Sequence, residues 1–268
     1  MELKDGLPRI SVVTPSYNQG AFIEQTIESV LGQDYPDLEY TVVDGGSTDG
    51  TLAILERYGD RLSWVSEPDR GQSDALNKGL RGSTGEIVAF INSDDYYEPG
   101  ALRAVGEFFA RNPESSWVTG KCRTVDENGR EIRSAITRYK NFWLRRRSLR
   151  ALQVLNYVSQ PATFWHRRVL ERVGDFDETL QYAMDYDYWL RVGRHFSLDY
   201  VDRYLASFRV HSTSKAGASA HAQFDSGLEI ARRHVRSPVL LGLHRAHNAL
   251  TVGIYRRLLE RARQSVDT

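Results

Sequence analysis

Apolar and polar residues follow two distinct patterns along the first half of the chain. Short runs rich in β-branched residues predict strands at residues 9–17, 38–46, 61–67 and 86–91. Between them, apolar residues recur every three or four positions, which predicts helices at residues 21–33, 47–59, 71–83 and 99–112. Repeated strand–helix units of this length predict an α/β fold with a doubly wound, mainly parallel, Rossmann-like sheet.

The pattern changes after residue 115. Residues 115–134 predict a β-hairpin with Asn128-Gly129 at its turn. The remaining chain predicts helices within 138–157, a strand and a helix within 162–174, a helix at 185–195, extended segments at 196–211, and helices from Ala220 onward with a break at Pro238. We therefore expect a domain at residues 1–215, with halves at about 1–115 and 116–215, and a helical C-terminal extension at residues 216–268.

Composition narrows the expected setting of the protein. A chain of 268 residues can bury a substantial core without disulfides. Its single cysteine, Cys122, excludes an internal disulfide and a multi-cysteine metal site. The first residues lack the apolar region of a signal peptide, and no apolar run approaches the roughly 20 residues needed to span a bilayer. These features predict a cytoplasmic protein.

The formal net charge of zero conceals an asymmetry between the two halves. Residues 1–134 carry 13 Lys/Arg against 23 Asp/Glu, whereas residues 135–268 carry 22 against 12. We interpret this as an acidic half that holds a cation and a basic half that meets an anionic partner, with uneven surface charge as the alternative. A nucleic-acid partner is not expected.

Three of the predicted strands end in residues with distinctive chemistry. In an open parallel sheet, ligands bind beyond the carboxyl ends of the strands, so these residues are expected to share one edge. Each has a plain alternative as a turn, a cap or a helix start, but their joint position favours a ligand site. They are Pro15, Ser16, Tyr17 and Asn18 after the first strand, Asp44 after the second, and Asp94 and Asp95 after the fourth.

A nucleotide fits this set of side chains. Asp44 can accept hydrogen bonds from a base imide, and Tyr17 can pack against the base. One carboxylate of the Asn92–Asp95 loop can bind ribose hydroxyls, and its neighbour can hold Mg²⁺ or Mn²⁺ against diphosphate oxygens. The sequence contains neither a P-loop nor a G-x-G-x-x-G after the first strand, which disfavours a P-loop NTPase and a dinucleotide oxidoreductase.

From about Arg9 to His211, the chain resembles a family 2 glycosyltransferase of the GT-A fold. The segments "SVVTPSYNQGAFIEQTIESVLGQ", "VVDGGSTDGT", "GQSDALNKGL" and "GEIVAFINSDDYYEPGAL" occur in the family's order and spacing. The resemblance implies that "NSDD" is the metal motif, although Asn92 stands where the strict pattern has Asp. It leaves Asp94 and Asp95 as the ribose and metal groups, in an unassigned order, and adds Asp74 of "GQSDALNKGL" to the nucleotide-binding residues.

The resemblance extends to the acceptor side in "VGDFDETLQYAMDYDYWLRV". The family's catalytic base corresponds to Asp185, and Met184 stands where many members have Glu. An ionised carboxylate at a helix start suits a general base, and a simple helix cap is the alternative. Asp187 could face the acceptor or pair with Arg191 one turn later.

Two further segments resemble parts of the family's site. "FRVHSTSK" is similar to its closing segment, which implies that His211 ligates the metal. "QPATFWHRR" is similar to a stretch near the acceptor, where Trp165 could stack on a sugar or belong to the core. The implied reaction is inverting sugar transfer from a UDP-, GDP- or dTDP-sugar to a glycan or lipid-linked acceptor, in polysaccharide or glycoconjugate synthesis.

Two other classes of protein share this plan. A sugar-nucleotide nucleotidyltransferase would need a glycine-rich loop with basic residues after the first strand, and "PSYNQGAF" contains no basic residue. A non-catalytic nucleotide-sugar-binding protein would have lost the base or the metal group. Because Asp94, Asp95 and Asp185 are all present, we favour the enzyme.

The C-terminal segment is basic and amphipathic. Apolar residues such as Leu243 and Leu250 alternate with arginines at positions 232, 233, 236, 245, 256, 257, 261 and 263. Such a helix can lie in a membrane interface with its arginines on anionic headgroups, here the inner face of the membrane. Packing on the catalytic domain, or on a second copy in a homodimer, is the alternative.

Overall fold

The computed structural model of the chain describes residues 6–212, 214 and 220–264, with side chains to residue 253. The predicted domain boundary at residues 215 and 216 lies outside these residues. The first half has the predicted order with one additional short strand, β5: β1 Ile10–Ser16, α1 Ile23–Leu31, β2 Leu38–Asp44, α2 Thr51–Arg57, β3 Ser63–Ser66, α3 Gln72–Gly82, β4 Ile87–Phe90, β5 Tyr96–Tyr97 and α4 Ala101–Arg111. The second half contains β6 Trp117–Val125, α5 Ser134–Leu144, α6 Leu149–Leu155, β7 Thr163–His166, α7 Arg168–Val173, α8 Met184–Val192, β8 Leu198–Arg209, α9 Ala220–His234 and α10 Pro238–Gln264.

In the described residues, eight strands form one mixed sheet in the order β3-β2-β1-β4-β7-β6-β8-β5. The strands β3, β2, β1 and β4 are parallel, and β6 and β8 are parallel to each other. β7 lies antiparallel between β4 and β6. Ser16 is opposite Asp44, and Asp44 is opposite Ser66, so the carboxyl ends of three strands meet at one edge.

Consecutive residues of a strand point to opposite sides of the sheet. Both faces therefore carry apolar side chains, and helices cover each of them. Val42 belongs to the core under α1, α2 and α4, and Val43 belongs to the core under α3. Gly79 lets α3 approach the sheet closely, since a Cβ there would lie 2.4 Å from Cγ1 of Val13. This three-layer arrangement confirms the predicted α/β class.

The predicted hairpin at residues 115–134 is wrong in its second arm. The turn forms, with Gly129 at φ 77° and Asp126 Oδ1 accepting from the backbone N–H of Arg130 at 2.8 Å. The returning chain makes one isolated bridge, between Val125 and Glu131. Arg133 then adopts a left-handed conformation and α5 begins, while β6 takes its strand partners from β7 and β8.

The C-terminal helices form as predicted, with the break before Pro238. α9 packs on α8, and α10 packs on α6. His234 of α9 and Asp187 of α8 are joined by a 2.6 Å contact between Nε2 and Oδ1. Within the residues searched, no helix combines the length and apolar character that crossing a membrane requires.

Candidate active site

The carboxylate of Asp44 organises the edge where β1, β2 and β3 end. It is fully buried, and Oδ2 accepts from the backbone N–H groups of Gly46 and Ser47 at 3.1 and 2.8 Å and from the hydroxyl of Ser66 at 2.7 Å. Oδ1 accepts from the hydroxyl of Ser47, at 2.5 Å, and from no other group among the described residues. The loop after β2 is thereby fixed, and Oδ1 keeps capacity for a further donor.

The end of β1 and the residues that follow it form a short wall beside this loop. Pro15 is buried in the strand opposite Val43, whereas the ring of Tyr17 is 61% exposed. Asn18 has a positive φ of 52°, and its Oδ1 accepts from the backbone N–H of Thr48 at 2.9 Å. The strand end and the β2 loop are therefore held together, with an uncovered aromatic ring at their margin.

Asn92 connects the loop after β4 to two neighbouring segments. Its Oδ1 accepts from Gln72 Nε2 at 2.7 Å, and its Nδ2 lies 3.3 Å from both Asp95 Oδ2 and Gln160 Oε1. Gln160 also donates to the carbonyl of Phe90 at 2.6 Å. A neutral amide at position 92 thus donates and accepts at once, which a carboxylate could not do.

Asp94 and Asp95 point to different places. Asp95 is fully buried, and its Oδ1 accepts from the backbone N–H of Arg209 at 2.8 Å. Burial, followed by the negative charge of Asp94, raises its pKa well above the usual range. Asp94 instead reaches His211, with 3.1 Å between Oδ2 and Nε2.

The Asp94–His211 pair is assembled from the ends of β4 and β8. His211 is buried against the ring of Phe22, with 4.3 Å between ring centroids. In the part of the chain that the structure describes, no group of three or more His, Cys, Asp or Glu side chains could hold a metal. One carboxylate and one imidazole fit a divalent cation that takes its other ligands from phosphates and water.

Asp74 lies in the first turn of α3, and the nearby positive charges of Arg70 and Lys78 balance its negative charge. Oδ2 accepts from the backbone N–H of Arg70 at 3.0 Å, and Lys78 Nζ lies 3.5 Å away. The hydrogen bond from the Arg70 side chain is the main cause that lowers the pKa of Asp74 to about 2. A role in nucleotide binding stays a prediction.

Asp185 lies in the first turn of α8, immediately after Ala183 and Met184. Ala183 is left-handed at φ 54°, and Asp185 Oδ1 accepts from the backbone N–H of Tyr186 at 2.8 Å. Burial raises the pKa of Asp185, against the backbone hydrogen bond and the positive charge of Lys140 on α5. A helix N-terminus also favours the charged form, and a partly buried carboxylate of this kind can accept a proton.

The two predicted acceptor residues have inward-facing side chains. Asp187 accepts from Arg191 Nε at 2.8 Å, as the one-turn spacing predicted, and meets His234 of α9. Trp165 is fully buried among aromatic rings that include Phe90 and Trp189, which corresponds to the core alternative for this residue. Neither side chain has a free face toward a sugar.

Two residues beside Asp185 and Asn92 carried no signal in the sequence. Lys140 is one cation in a basic run, yet its Nζ donates to Ser159 Oγ at 3.2 Å, and Asp185 is among the charges that act on it. Gln160 reaches the β4 loop across 68 positions of sequence. The segment "QPATFWHRR" begins with Gln160 but was notable for Trp165, and no spacing indicated Lys140.

Comparisons with known proteins agree with this geometry. The sequence model described as glycosyl transferase family 2 matches residues 11–174. A glycosyltransferase of Rickettsia bellii is 30% identical over 213 residues, which cover 76% of this chain and 30% of the relative. Chondroitin synthase of Escherichia coli is 29% identical over 189 residues, or 69% of this chain and 26% of that protein. The chain thus spans less than a third of the length of these two relatives.

A mannosyltransferase of Pyrobaculum calidifontis, solved with GDP-Man and Mn²⁺, superposes with a TM-score of 0.64 at 22% identity. The alignment covers 94% of this chain and 80% of that one. The chain belongs to glycosyl transferase family 2, and the predicted family and fold are confirmed. The roles of individual site residues stay predictions.

Proposed function

We propose that this protein is an inverting, metal-dependent glycosyltransferase. It transfers a sugar from a UDP-, GDP- or dTDP-sugar to a hydroxyl of a glycan or a lipid-linked acceptor, in polysaccharide or glycoconjugate synthesis. The observation that carries the proposal is the contact between Asp94 and His211, 3.1 Å apart at the ends of β4 and β8, in a family 2 chain that also has Asp185 at a helix start.

The donor half of the site recognises the nucleotide. Asp44 Oδ1 accepts a hydrogen bond from the base, and the exposed ring of Tyr17 covers one face of it. The ordered segments at Pro15 and Asn18 shape the same wall. A donor bound here has its diphosphate directed toward the loop that contains Asp94.

A divalent cation, Mn²⁺ or Mg²⁺, would be held by Asp94 and His211. When bound, it supplies positive charge that neutralises the departing diphosphate. The Mn²⁺ in the mannosyltransferase of Pyrobaculum calidifontis supports this choice of ion. Asp95 contributes indirectly, because its buried carboxylate ties the loop to Arg209 of β8.

Asp185 performs the proton transfer. It takes the proton from the acceptor hydroxyl, whose oxygen forms a bond to the anomeric carbon on the face opposite the diphosphate. The bond from that carbon to the phosphate oxygen breaks, and its electron pair leaves with the nucleoside diphosphate. The raised pKa of Asp185 makes this carboxylate a stronger base.

A donor panel tests the proposal. Purified protein with Mn²⁺, an acceptor mixture and each of the UDP-, GDP- and dTDP-sugars is expected to release the nucleoside diphosphate with one donor class. A nucleotidyltransferase would instead release pyrophosphate from a nucleoside triphosphate and a sugar phosphate. Binding of a donor without turnover with any acceptor would identify a non-catalytic nucleotide-sugar-binding protein.

The C-terminal helices belong to the same proposal. Lipid-linked acceptors are presented at a membrane surface, so these helices are expected to contact either the inner face of the membrane or a second copy of the chain. Val239, Leu243 and Leu250 of α10 are 69%, 52% and 64% exposed, which leaves an apolar face available for such a contact.

A further inference from the structure

The helix α10 turns a mixed side toward the protein, on which Leu240 and Leu241 pack against the core beside polar side chains. His244 is buried, and its Nδ1 donates to the carbonyl of Gln153 at 3.2 Å. Asn248 donates to the carbonyl of Phe224 at 3.2 Å, and the ring of His247 stacks on Tyr139 of α5. Polar side chains therefore occupy part of the inward face that a surface helix normally fills with apolar residues.

The outer side of α10 is correspondingly apolar. Val239, Leu243, Ala246 and Leu250 are spaced by four, three and four positions, which lines them along one face. All four are exposed. Because scattered exposed apolar residues need no explanation but an ordered row does, this face is expected to have an occupant.

The charges around this face are of one sign. Residues 230–259 contain no Asp or Glu and six arginines, at positions 232, 233, 236, 245, 256 and 257. Among the described residues, Arg232, Arg236 and Arg245 are exposed and form no ion pair. Three exposed cations, on α9, on the connection to α10 and on α10 itself, therefore have no carboxylate partner among the described residues.

The neighbouring helix α5 extends the surface. Tyr139 and Phe142 are 40% and 48% exposed, and the guanidinium of Arg146 lies 3.5 Å from the ring centroid of Phe142. The contact between Tyr139 and His247 joins the two helices. Aromatic rings next to arginines are typical of segments that lie at the level of lipid headgroups.

The charge pattern decides between the two candidate occupants. A second copy of α10 would bring like charges together, since the sequence of this helix has five arginines and a single carboxylate, Glu260. An anionic bilayer offers both an apolar layer for the leucines and phosphates for the arginines. No described helix could span that bilayer, so α10 would lie along it.

We propose that the outer face of α10, with the adjoining side of α5, binds peripherally to membranes that contain anionic lipids. The full chain is mixed with vesicles of 30% phosphatidylglycerol in phosphatidylcholine and sedimented at low salt. It is expected to sediment with these vesicles, to stay in solution with pure phosphatidylcholine, and to be released by about 0.5 M salt, where the Debye length falls to about 4 Å.

Matched variants assign the binding to this face. Leu243→Gln and Leu250→Gln are each expected to weaken vesicle binding by about tenfold, since each removes a buried leucine from the lipid. Arg245→Gln is expected to weaken it by about fivefold. Val65→Gln, which changes an exposed apolar residue on β3, serves as the control and is expected to bind like the parent.

Three outcomes would overturn the inference. The folded parent could remain in the supernatant with anionic vesicles, or both leucine variants could sediment like the parent. A parent that sediments as a dimer in the absence of lipid, and that Leu243→Gln converts to a monomer, would identify a second copy as the occupant. Vesicle binding is measured without donor or acceptor, so the result does not depend on whether the proposed sugar transfer occurs.

Discussion

At the scale of single residues, the surroundings of Asp185 disfavour the ionised carboxylate that the proposed proton transfer requires. Burial raises its pKa, so the ionised form is less favourable in the folded chain than in the unfolded one. A group with a raised folded pKa contributes stability at pH values below its unfolded pKa and loses that contribution as pH rises through the folded pKa. At neutral pH, the charge at Asp185 therefore opposes folding.

The substitution Asp185→Asn tests both the cost of this charge to stability and the proposed proton transfer. Asparagine keeps the shape and can still accept from the backbone N–H of Tyr186, but it cannot take a proton from the acceptor. We expect transfer to fall by roughly 10²-fold or more, with donor binding retained and a melting temperature no lower than that of the parent. Transfer at the parental rate would reduce Asp185 to a helix cap.

Lys140 sets the pH range in which Asp185 is ionised. Its positive charge lowers the pKa of Asp185, and it is the charged side chain of α5 that acts on this carboxylate. Lys140→Met is expected to move the acidic limb of the pH–rate profile to higher pH, because the base then protonates more easily. Lys121→Met, on β6, provides the control because Lys121 pairs with Asp202, and an unchanged acidic limb in the Lys140 variant would contradict the prediction.

Alanine substitutions of the adjacent residues Asp94 and Asp95 are expected to have different effects on stability. Asp94→Ala should remove most of the Mn²⁺- or Mg²⁺-dependent activity and leave the melting temperature nearly unchanged, because Asp94 is partly exposed and pairs with His211. Asp95→Ala should also lose activity, but with a destabilisation of about 1–3 kcal/mol, since the buried N–H of Arg209 loses its acceptor.

Activity assays and thermal melts with and without excess EDTA measure both effects. Full turnover in EDTA would exclude the metal prediction. Equal stability losses in the two variants would show that their different surroundings have no energetic consequence.

The sequence predicted site residues where a strand end or a motif identified them. Asp44, Asp94 and Asp185 all lie at positions of this kind. Lys140 and Gln160 did not stand out, because their contacts depend on how distant segments pack. Nor could spacing reveal that Asp187 is engaged by a histidine 47 positions away.

At the scale of elements, α3 depends on the absence of a side chain at Gly79. A Cβ there would lie 2.4 Å from one methyl carbon of Val13 and 3.1 Å from one of Val43, both on stiff β-branched side chains. Gly79→Ala is therefore expected to destabilise the fold by about 1–3 kcal/mol, measured by urea unfolding.

Gly82→Ala is the matched control for Gly79, since a Cβ at Gly82 would meet no atom within 4 Å. It should be neutral or slightly stabilising, because alanine favours a helix. If the two variants unfold at the same urea concentration, α3 can shift away from the sheet at little cost.

The elements themselves were largely predictable because each has a clear period. The helices and strands of the first half match the predicted segments to within a few residues at their ends. The hairpin failed because an Asn-Gly turn specifies a reversal of the chain but does not specify what the returning arm will pair with. Here β7 and β8, which lie far along the sequence, pair with the two sides of β6.

At the scale of the whole molecule, sheet order was the least predictable property. Local periodicity indicated parallel strands, and the order of the first four follows from repeated strand–helix units. The insertion of β7 antiparallel between β4 and β6 is set by long-range packing, including the buried tryptophans Trp117 and Trp165. The same packing buries Trp165 in the core, which is one of the two roles that the sequence left open for it.

The 2.6 Å contact between His234 and Asp187 fastens the C-terminal helices to α8 two residues beyond Asp185. Burial alone would raise the pKa of Asp187, but the bonds from His234 and Arg191 outweigh it and lower the pKa, which indicates a tight link. A bilayer that immobilises α10 should therefore suppress local opening of α8, because only the closed form keeps this link. Amide hydrogen exchange in α8 is expected to slow by about tenfold on addition of anionic vesicles, and this slowing should disappear in His234→Ala. Equal slowing in both proteins would mean that the contact between His234 and Asp187 does not transmit the effect of membrane binding to α8.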